Sequence, residues 1–313
     1  MAKKPSSKVE YVKCNLCGAD DYSVVFEGIP TEGDEENRYK SSGNEVGNDQ
    51  VVKCKGCGLI YVNPRLRPEL IFKGYSEGSD ETFVSQAKGR ELTFSRCLKF
   101  IHKNIDKDLA KKKGKILDVG TAGGSFLHVA KEAGWDVHGV EPNKWLCNWA
   151  KKNYKIDVKP GDLFSQKFPS KHFDVVTLWD VLEHVPDPKK TLKEVNRILR
   201  PGGYLVVNYP DIGSSLARFM RSKWVFILTV HLFYFTPKTI KKILTSTGFS
   251  AKKIKPHFQT LSLGYLAYRM EPYSKILHKV GTAVVKALRL GKLQVPYWLG
   301  QTLVLAKKEK DLK

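Results

Sequence analysis

The sequence predicts an α/β protein with a largely parallel sheet, a small cysteine-rich domain before it and a helical insertion near its C-terminal end. Between Lys115 and Pro210, strand-like apolar runs alternate with amphipathic helical runs, the pattern of a parallel sheet with crossover helices. Four of the six cysteines form two C-x-x-C pairs in the N-terminal part of the chain. After Pro210, about forty residues separate two further strand-like runs.

Length, composition and charge narrow the class of protein. The chain of 313 residues is long enough for one large domain or several small ones, and 42% hydrophobic residues support a buried core. No apolar run reaches the roughly 18 residues that a membrane span needs. The N-terminus lacks the apolar segment of a signal peptide, so we expect a cytoplasmic protein. The net charge of +21 favours anionic partners (nucleic acid, acidic lipid or phosphorylated small molecules), unless it is only a solvated surface.

The order of the elements follows from periodicity and from the positions of Gly and Pro. Residues 91–109 predict an amphipathic helix that packs on the sheet. The five parallel strands are expected at 115–120, 136–142, 156–162, 173–180 and 204–210, with helices at 125–134, 142–152 and 188–200 between them. A capped helix at 236–249 precedes closing strands at 250–258 and 298–308. The expected boundaries are 1–66 for the cysteine-rich domain, 67–112 for a helical linker and 113–313 for the α/β domain, with the helical insertion at about 258–297.

The two cysteine pairs predict a metal site. Cys14, Cys17, Cys54 and Cys57 stand in two C-x-x-C-G units, and four thiolates suit tetrahedral Zn(II). The glycine after each pair permits a tight turn that points backbone amides at the sulfurs. A disulfide framework suits small secreted domains better than a chain of this length. The alternative is four ordinary buried or free cysteines. Because protein ligands would fill all four positions of the ion, we expect a structural zinc.

The stretch "ILDVGTAGGSF" (116–126) joins the first strand to a helix through a glycine-rich turn. A dinucleotide site would need G-x-G-x-x-G, but Ala122 takes the second glycine position and the Asp118 carboxylate would repel a pyrophosphate. The stretch resembles motif I of class I S-adenosylmethionine-dependent methyltransferases, D/E-x-G-x-G-x-G. Asp118, Gly120 and Gly124 match, and Ala122 departs, which implies slight crowding against the ligand. A Rossmann-like domain for NAD, for another nucleotide or for no ligand is the alternative.

The stretches "FDVVTLWDVLEHVPDP" (173–188) and "LRPGGYLVV" (199–207) resemble the fourth-strand motif and the turn into strand five of the same family, so the resemblance covers roughly residues 114–210, and more loosely the closing strands. It implies a Rossmann-like, seven-stranded methyltransferase sheet of five parallel strands and a C-terminal pair, with S-adenosylmethionine as the cofactor. Glu141 would accept hydrogen bonds from the ribose hydroxyls, Asp162 would bind the adenine amino group and Leu163 would flank the ring. The implied cofactor-binding residues are Asp118, Gly120, Ala122, Gly124, Glu141, Pro142, Asp162, Leu163, Trp179 and Asp180.

The segments that flank the core suggest an acceptor class. "CNLCG…CKGCGLIYVNPRL" and "SKWVFILTVHLFYFTPKTIKKILTSTGF" resemble a bacterial group with an N-terminal zinc-binding domain, which includes deoxysugar C-methyltransferases acting on nucleotide-linked sugars. The resemblance implies an active site covered by the zinc domain and the C-terminal segment.

A hydroxyl or carbon-acid acceptor also needs a base. His231 is the first candidate, followed by His184 and Tyr75, with Glu183 weaker and Tyr209 on the acceptor side. Each of the first three also has a plain structural interpretation: His231 as a core histidine in an aromatic cluster, His184 as a loop-shaping residue and Tyr75 as a packing residue.

The leading hypothesis is methyl transfer to a small, anionic acceptor such as a nucleotide-linked sugar or glycan intermediate. An RNA methyltransferase is the alternative, since zinc knuckles and positive charge can hold phosphates. Against it, "WDVL" follows strand four where base-amine methyltransferases carry N/D-P-P-Y. A non-catalytic zinc-containing scaffold ranks third. The basic amphipathic stretch 273–290 could cap the active site or form a dimer face, which are favoured, or lie on anionic lipid. The oligomeric state does not follow from the sequence.

Overall fold

The computed structural model describes residues 8–28, 49–271 and 274–312. Its strands are β1 (Val9–Glu10), β2 (Tyr22–Phe26), β3 (Val51–Cys54), β4 (Ile60–Val62), β5 (Arg65–Leu66), β6 (Lys115–Val119), β7 (Asp136–Glu141), β8 (Lys159–Pro160), β9 (Phe173–Trp179), β10 (Leu199–Pro210), β11 (Phe233–Tyr234), β12 (Phe249–Pro256), β13 (Gln259–Ser262), β14 (Gln294–Tyr297) and β15 (Gln301–Lys308). Its α-helices are α1 (Pro68–Ser76), α2 (Glu81–Val84), α3 (Ala87–Asn104), α4 (Lys107–Lys112), α5 (Ser125–Glu132), α6 (Lys144–Tyr154), α7 (Pro188–Ile198), α8 (Ser215–Met220), α9 (Pro237–Ser246), α10 (Leu263–Tyr268) and α11 (Lys275–Ala287). Among the described residues, no helix is both long and apolar enough to cross a bilayer.

The main layer is a seven-stranded sheet in the order β12-β15-β10-β9-β6-β7-β8. Strands β6 to β10 are mutually parallel, and β15 runs antiparallel to both β10 and β12. The predicted α/β fold, with five parallel strands and a closing C-terminal pair, is therefore confirmed. Because the crossovers place the carboxyl ends of parallel strands at one edge, the loops after β6, β7, β8 and β9 gather there.

Both faces of the sheet are buried. Along β9, Val176 and Leu178 pack into one apolar cluster, while Val175 and Trp179 pack into the other. Side chains of a strand alternate between faces, so each cluster lies on its own side of the sheet. This double burial explains why the strands appear in the sequence as continuous apolar runs rather than as alternating ones.

A second sheet joins the N-terminal part of the chain to the segment after β10. Its order is β11-β4-β3-β2, and all its neighbouring strands are antiparallel. Strand β11 lies more than 160 residues after β4 in the sequence, yet Phe233 pairs with Tyr61. The cysteine-bearing strand β3 and the segment around β11 therefore belong to one sheet.

Three local details differ from the sequence-based expectations. The helix expected at 91–109 is split, because the Asp106 carboxylate accepts the amides of Asp108 and Leu109 and starts α4 there. The helix expected from Pro142 begins at Lys144, where the Asn143 side chain caps it by accepting the Leu146 amide. The stretch expected as a helical insertion holds α10 and α11 between β13 and β14, which pair with each other.

Candidate active site

The glycine-rich turn after β6 is tightly packed. Gly120 has a φ of 66°, and a Cβ there would lie 2.8 Å from Val181 Cγ2. Gly124, with a φ of 78°, is the N-cap of α5. Ala122 also takes the left-handed conformation, with a φ of 48°, which costs an L-residue about 1–2 kcal/mol. The structure thus accommodates an alanine in place of the pattern's glycine with backbone strain. The departure from the pattern is expressed in the backbone conformation of the turn.

Two buried carboxyl groups stand at the ends of neighbouring strands. Asp118 accepts a hydrogen bond from Thr177 Oγ1 at 2.6 Å. Glu141 accepts the amides of Ala122 at 2.8 Å and Asn143 at 2.9 Å, one on each oxygen. Burial raises the pKa of both Asp118 and Glu141 to about 7. Glu141 is therefore fixed against the glycine-rich turn.

The loop after β8 continues the same edge. The Gly161 amide donates to the Glu141 carbonyl at 3.0 Å, which joins this loop to the end of β7 beside Pro142. Asp162 is half-exposed, and one of its oxygens accepts the Ser165 amide at 2.7 Å. Leu163 is buried. The structure thus brings the predicted residues of the first three strand ends together along one edge.

Trp179 and Asp180, at the end of β9, have different surroundings. The Trp179 ring packs against Phe94 and Phe126, with centroids 5.2 and 5.1 Å away. Asp180 accepts hydrogen bonds from three side-chain amides, those of Asn208 at 2.5 Å, Gln259 at 3.1 Å and Gln301 at 3.2 Å. Its carboxylate therefore ties β13 of the insertion to the end of the sheet.

Arg90 in α3 is a residue that the motifs did not point to. Its guanidinium lies 3.5 Å from the centroid of the Phe83 ring, and its buried Nε has no hydrogen-bond partner among the described residues. Burial lowers the pKa of Arg90, while the negative charge of Asp180 opposes this. Its spacing of four residues before Phe94 and seven before Cys97 places a cation on the buried face of an amphipathic helix, a sequence feature that could have identified it.

A cluster of titratable side chains lies beyond the end of β9. A carboxylate oxygen of Glu183 and a ring nitrogen each of His184 and His231 all lie within 4.8 Å of one another. The two imidazole centroids are 4.6 Å apart. Tyr75 of α1 reaches the same place, with its hydroxyl 2.7 Å from His184 Nδ1. The structure therefore brings together the three predicted catalytic residues and the weaker candidate Glu183.

The protonation of this cluster follows from its hydrogen bonds. His231 Nδ1 lies 2.8 Å from the Phe226 carbonyl and His184 Nδ1 lies 3.0 Å from the Val230 carbonyl. Since a carbonyl oxygen only accepts, the His231 contact places its proton on Nδ1 and leaves a lone pair on Nε2. His184 Nδ1 faces both the Val230 carbonyl and the Tyr75 hydroxyl, which can donate as well as accept. Burial lowers the pKa of His231 well below its usual value and that of His184 to about 4. Both imidazoles are therefore neutral near pH 7.

Glu183 stands out because both its carboxylate oxygens are buried and have no partner among the described residues. Burial raises the pKa of Glu183 well above its usual value. The Tyr209 hydroxyl at the end of β10 is also buried without a described partner. Buried polar atoms without a hydrogen bond are rare in native proteins. The two oxygens of Glu183 therefore indicate a ligand or a chemical role at this place.

The backbone fixes the position of His231. The Glu183 carbonyl accepts the amides of Leu232 at 2.8 Å and Phe233 at 3.1 Å, which holds the segment after His231 against the loop after β9. Phe233 in turn begins β11, which pairs with β4. The N-terminal sheet therefore supports the segment that carries His231.

The four predicted metal-ligating cysteines converge. All four sulfurs lie within 4.8 Å of one another, with the shortest distances at 3.4 Å for Cys14–Cys57 and 3.5 Å for Cys17–Cys54. Tetrahedral zinc with bonds of about 2.3 Å would place its sulfurs roughly 3.8 Å apart, so the spacing fits. The glycine after each pair has a positive φ, 78° and 82°, and its amide donates to the carbonyl of the first cysteine of that pair.

Polar contacts join the cysteine cluster to the α/β sheet domain. Asn15 donates to the Asp187 carboxylate at 2.8 Å, and its side-chain oxygen accepts the Lys189 amide at 3.0 Å. Lys242 Nζ donates to the Cys57 carbonyl at 3.0 Å. The cluster is therefore held against the start of α7 and the middle of α9, on the side of the sheet where the His231 segment lies.

Comparisons with known proteins agree with this arrangement. The model of a family described as a methyltransferase domain matches residues 90–253. A ubiquinone biosynthesis O-methyltransferase of Coxiella burnetii (strain Dugway 5J108-111) is 31% identical over 108 residues, which cover 33% of this chain and 46% of the relative. A norajmaline N-methyltransferase of Rauvolfia serpentina is 29% identical over 141 residues, covering 42% of this chain and 48% of the relative. The chain thus spans about half the length of the curated relatives that it matches.

A solved structure extends the comparison of the fold. A SAM dependent methyltransferase from Archaeoglobus fulgidus superposes with a TM-score of 0.50 at 22% identity, covering 73% of this chain and all (100%) of that one. At this identity the likeness supports the fold alone.

Proposed function

The chain belongs to the methyltransferase-domain family, whose model matches just over half of it, and on that premise we propose that it transfers a methyl group from S-adenosylmethionine to a small-molecule acceptor. The observation that carries the proposal is the arrangement of two sites at one edge of the sheet. Buried carboxyls and a glycine-rich turn follow β6 and β7. A neutral histidine pair lies beyond the end of β9, beside a carboxyl that has no partner among the described residues.

The residues at the ends of β6 to β8 fit the cofactor. Glu141, held by two backbone amides, would accept the ribose hydroxyls, and the half-exposed Asp162 would bind the adenine amino group beside Leu163. The Nε of Arg90, buried and without a partner in the part of the chain that the structure describes, would suit the carboxylate of the methionine part. Asp118, Gly120, Ala122 and Gly124 would shape the turn that faces the ligand. When bound, the cofactor supplies an electrophilic sulfonium methyl group.

The histidine cluster would prepare the acceptor. His231 Nε2 carries the lone pair needed to remove a proton from a hydroxyl or an acidic carbon, because Nδ1 is committed to the Phe226 carbonyl. His184 would be a second base, oriented by Tyr75 and Val230. The Glu183 carboxyl, within 4.8 Å of the His231 ring, would stabilise the imidazolium that forms by accepting a hydrogen bond from its new N–H. A positioned general base of this kind contributes about a hundredfold to ten-thousandfold in rate.

The acceptor class rests on the resemblance and on charge. We propose a nucleotide-linked sugar or a glycan intermediate, because the segments that flank the core resemble enzymes of that class and the net charge of +21 favours an anionic molecule. The four cysteines would hold a structural zinc, which stabilises the N-terminal sheet under the His231 segment.

The first test is isothermal titration of the zinc-analysed protein with S-adenosylhomocysteine. We expect micromolar binding that weakens at least about tenfold in Glu141→Gln, since a lost hydrogen bond to a charged group costs about 1.5 kcal/mol or more. Glu132→Gln, in the exposed last turn of α5, is the matched control and should bind like the unchanged protein. Absent binding to a folded protein would favour the scaffold hypothesis.

The second step screens acceptors with the labelled cofactor. Nucleotide-linked sugars, glycan intermediates and RNA are offered to the same preparation. Turnover of a sugar or glycan supports the proposed acceptor class. Turnover of RNA alone would contradict it while leaving the methyltransferase proposal intact.

A further inference from the structure

Helix α11 exposes an apolar face that the described part of the chain leaves uncovered. Ile276, Val280, Val284 and Leu288 follow one another at a spacing of four residues, and Leu277 lies beside them. Their exposed fractions range from 49% for Val284 to 76% for Ile276. Large apolar side chains arranged in one exposed patch mark an interaction surface rather than a random feature of a soluble protein.

A neighbouring side of the helix explains how it is held. His278 Nδ1 lies 3.2 Å from the Ala267 carbonyl, and a Cβ at Gly281 would lie at ordinary contact distance, 3.9 Å, from the Ala267 Cβ, so α11 packs against α10 here. His278, Gly281 and Val285 are the half-buried residues of this contact. The helix is therefore fixed by one narrow face, and its apolar face points away from the protein.

A row of cations adjoins the apolar face. Lys275, Lys279 and Lys286 are all exposed, and their spacing of four and seven residues places them on one side of the helix. Residues 274–293 contain five Lys or Arg residues and no acidic residue. A second copy of the helix would bring the same cations and no acidic partner for them, which disfavours pairing of the two faces.

We propose that α11 lies on the surface of an anionic lipid bilayer, with Ile276, Leu277, Val280, Val284 and Leu288 in the acyl boundary and the lysine row on the headgroups. An amphipathic helix with this distribution binds at the interface of a membrane through buried apolar area and attraction to anionic lipid. The apolar face and the lysine row complement both parts of such a surface. The protein would then be a peripheral membrane protein.

The test is co-sedimentation of the full-length protein with vesicles. Vesicles of phosphatidylcholine mixed with phosphatidylglycerol should carry the protein to the pellet, whereas pure phosphatidylcholine should leave most of it in solution. The variant Val280→Ser/Val284→Ser should weaken binding by about tenfold or more, because two exposed valines lose their transfer energy. Both residues are exposed, so the fold should survive, which circular dichroism would verify.

A matched pair of charge variants separates this surface from the general positive charge. Lys275→Gln/Lys279→Gln/Lys286→Gln should lower binding about a hundredfold, since each lysine near an anionic surface contributes about 1 kcal/mol. Lys107→Gln/Lys111→Gln/Lys112→Gln on α4 removes the same charge from other exposed positions and should lower it far less.

Several results would overturn the proposal. One is absence of binding to the anionic vesicles, and another is equal binding to neutral ones. A third is an equal loss in the α4 control. A dimer in analytical ultracentrifugation that Val280→Ser/Val284→Ser converts to a monomer would assign the face to a second copy. This proposal does not depend on the proposed function, because none of these measurements involves methyl transfer.

Discussion

The two halves of the candidate active site are built in different ways. The cofactor half follows the ends of consecutive parallel strands, so Asp118 and Glu141 are neighbours because β6 and β7 are neighbours. The acceptor half combines a helix before the sheet, the loop after β9 and the segment before β11, which contribute Tyr75, His184 and His231. One half is thus fixed by local chain geometry, and the other depends on contacts between distant segments.

This difference suggests that the halves can be damaged separately. A change in the cofactor half should alter cofactor affinity, whereas a change in the acceptor half or in its support should alter the rate with the cofactor still bound. The charges differ as well. Burial raises the pKa of the carboxyls of the first half and lowers the pKa of the imidazoles of the second.

The largest effect is expected at His231. Replacing it with Asn removes the proposed base, and we expect the rate of methyl transfer to fall about a thousandfold. Affinity for S-adenosylhomocysteine should stay within about twofold, because His231 lies in the acceptor half and a factor of two is only about 0.4 kcal/mol. His172→Asn is the matched control, since His172 precedes β9 at the opposite edge of the sheet. If His231→Asn left the rate unchanged, His231 would be a core histidine and not the base.

The same contrast explains what the sequence could predict. Motif I and Glu141 sit at fixed offsets from strand ends, so a one-dimensional pattern is enough to place them. Doubled C-x-x-C-G units likewise predict four converging sulfurs, and the structure brings them together. The burial and isolation of Glu183, in contrast, depend on the segment before β11 covering it.

Other features had no usable pattern in the sequence. The pairing of β4 with β11 joins segments more than 160 residues apart, and two-residue strands such as β11 carry almost no periodicity. The position of the Asp106 cap, which splits the predicted helix, was visible only as one polar residue among many. Arg90 belonged to no motif, although its place on the buried face of α3 was available from its spacing.

Loss of the proposed zinc should damage the acceptor half next most strongly. Cys17→Ser should lower the zinc content and loosen the sheet in which β4 pairs with β11, and therefore displace His231. Misplacement by about 1 Å can cost a hundredfold in rate, so we expect a loss of that order.

Affinity for S-adenosylhomocysteine should change little, and Ser23→Ala in exposed β2 is the control for the sheet itself. Metal analysis, calorimetry and initial rates check this. Full activity of metal-free protein would contradict the supporting role of the cysteine cluster.

A smaller difference between the two halves is expected in how cofactor affinity and reaction rate depend on pH. Asp118 and Glu141 have a pKa of about 7, so below that pH they are increasingly protonated and cannot accept hydrogen bonds as carboxylates. Cofactor affinity should therefore weaken as pH falls through 7, by up to about tenfold per pH unit for each group.

The rate at saturating cofactor should hold to a lower pH, because the pKa of His231 is well below 6.5. Calorimetry and rates across this range test it, and Glu141→Gln should flatten the affinity profile. Coincident profiles for affinity and rate would show that one group controls both halves.

The smallest effect, on the free energy of unfolding, is expected at Ala122, which has a strained backbone conformation in the cofactor half. With a φ of 48°, it occupies a region that costs an L-residue about 1–2 kcal/mol but that glycine enters freely. Ala122→Gly removes this cost and adds the larger unfolded-state entropy of glycine, about 0.4–1 kcal/mol. The net change in the free energy of unfolding should be a stabilisation of about 0.5 kcal/mol.

Denaturant unfolding would measure this change. Ala283→Gly, at an exposed position inside α11, should instead destabilise by about 1 kcal/mol. Equal destabilisation by the two substitutions would mean that Ala122 is not strained. The alanine side chain would then stabilise the shape of the turn.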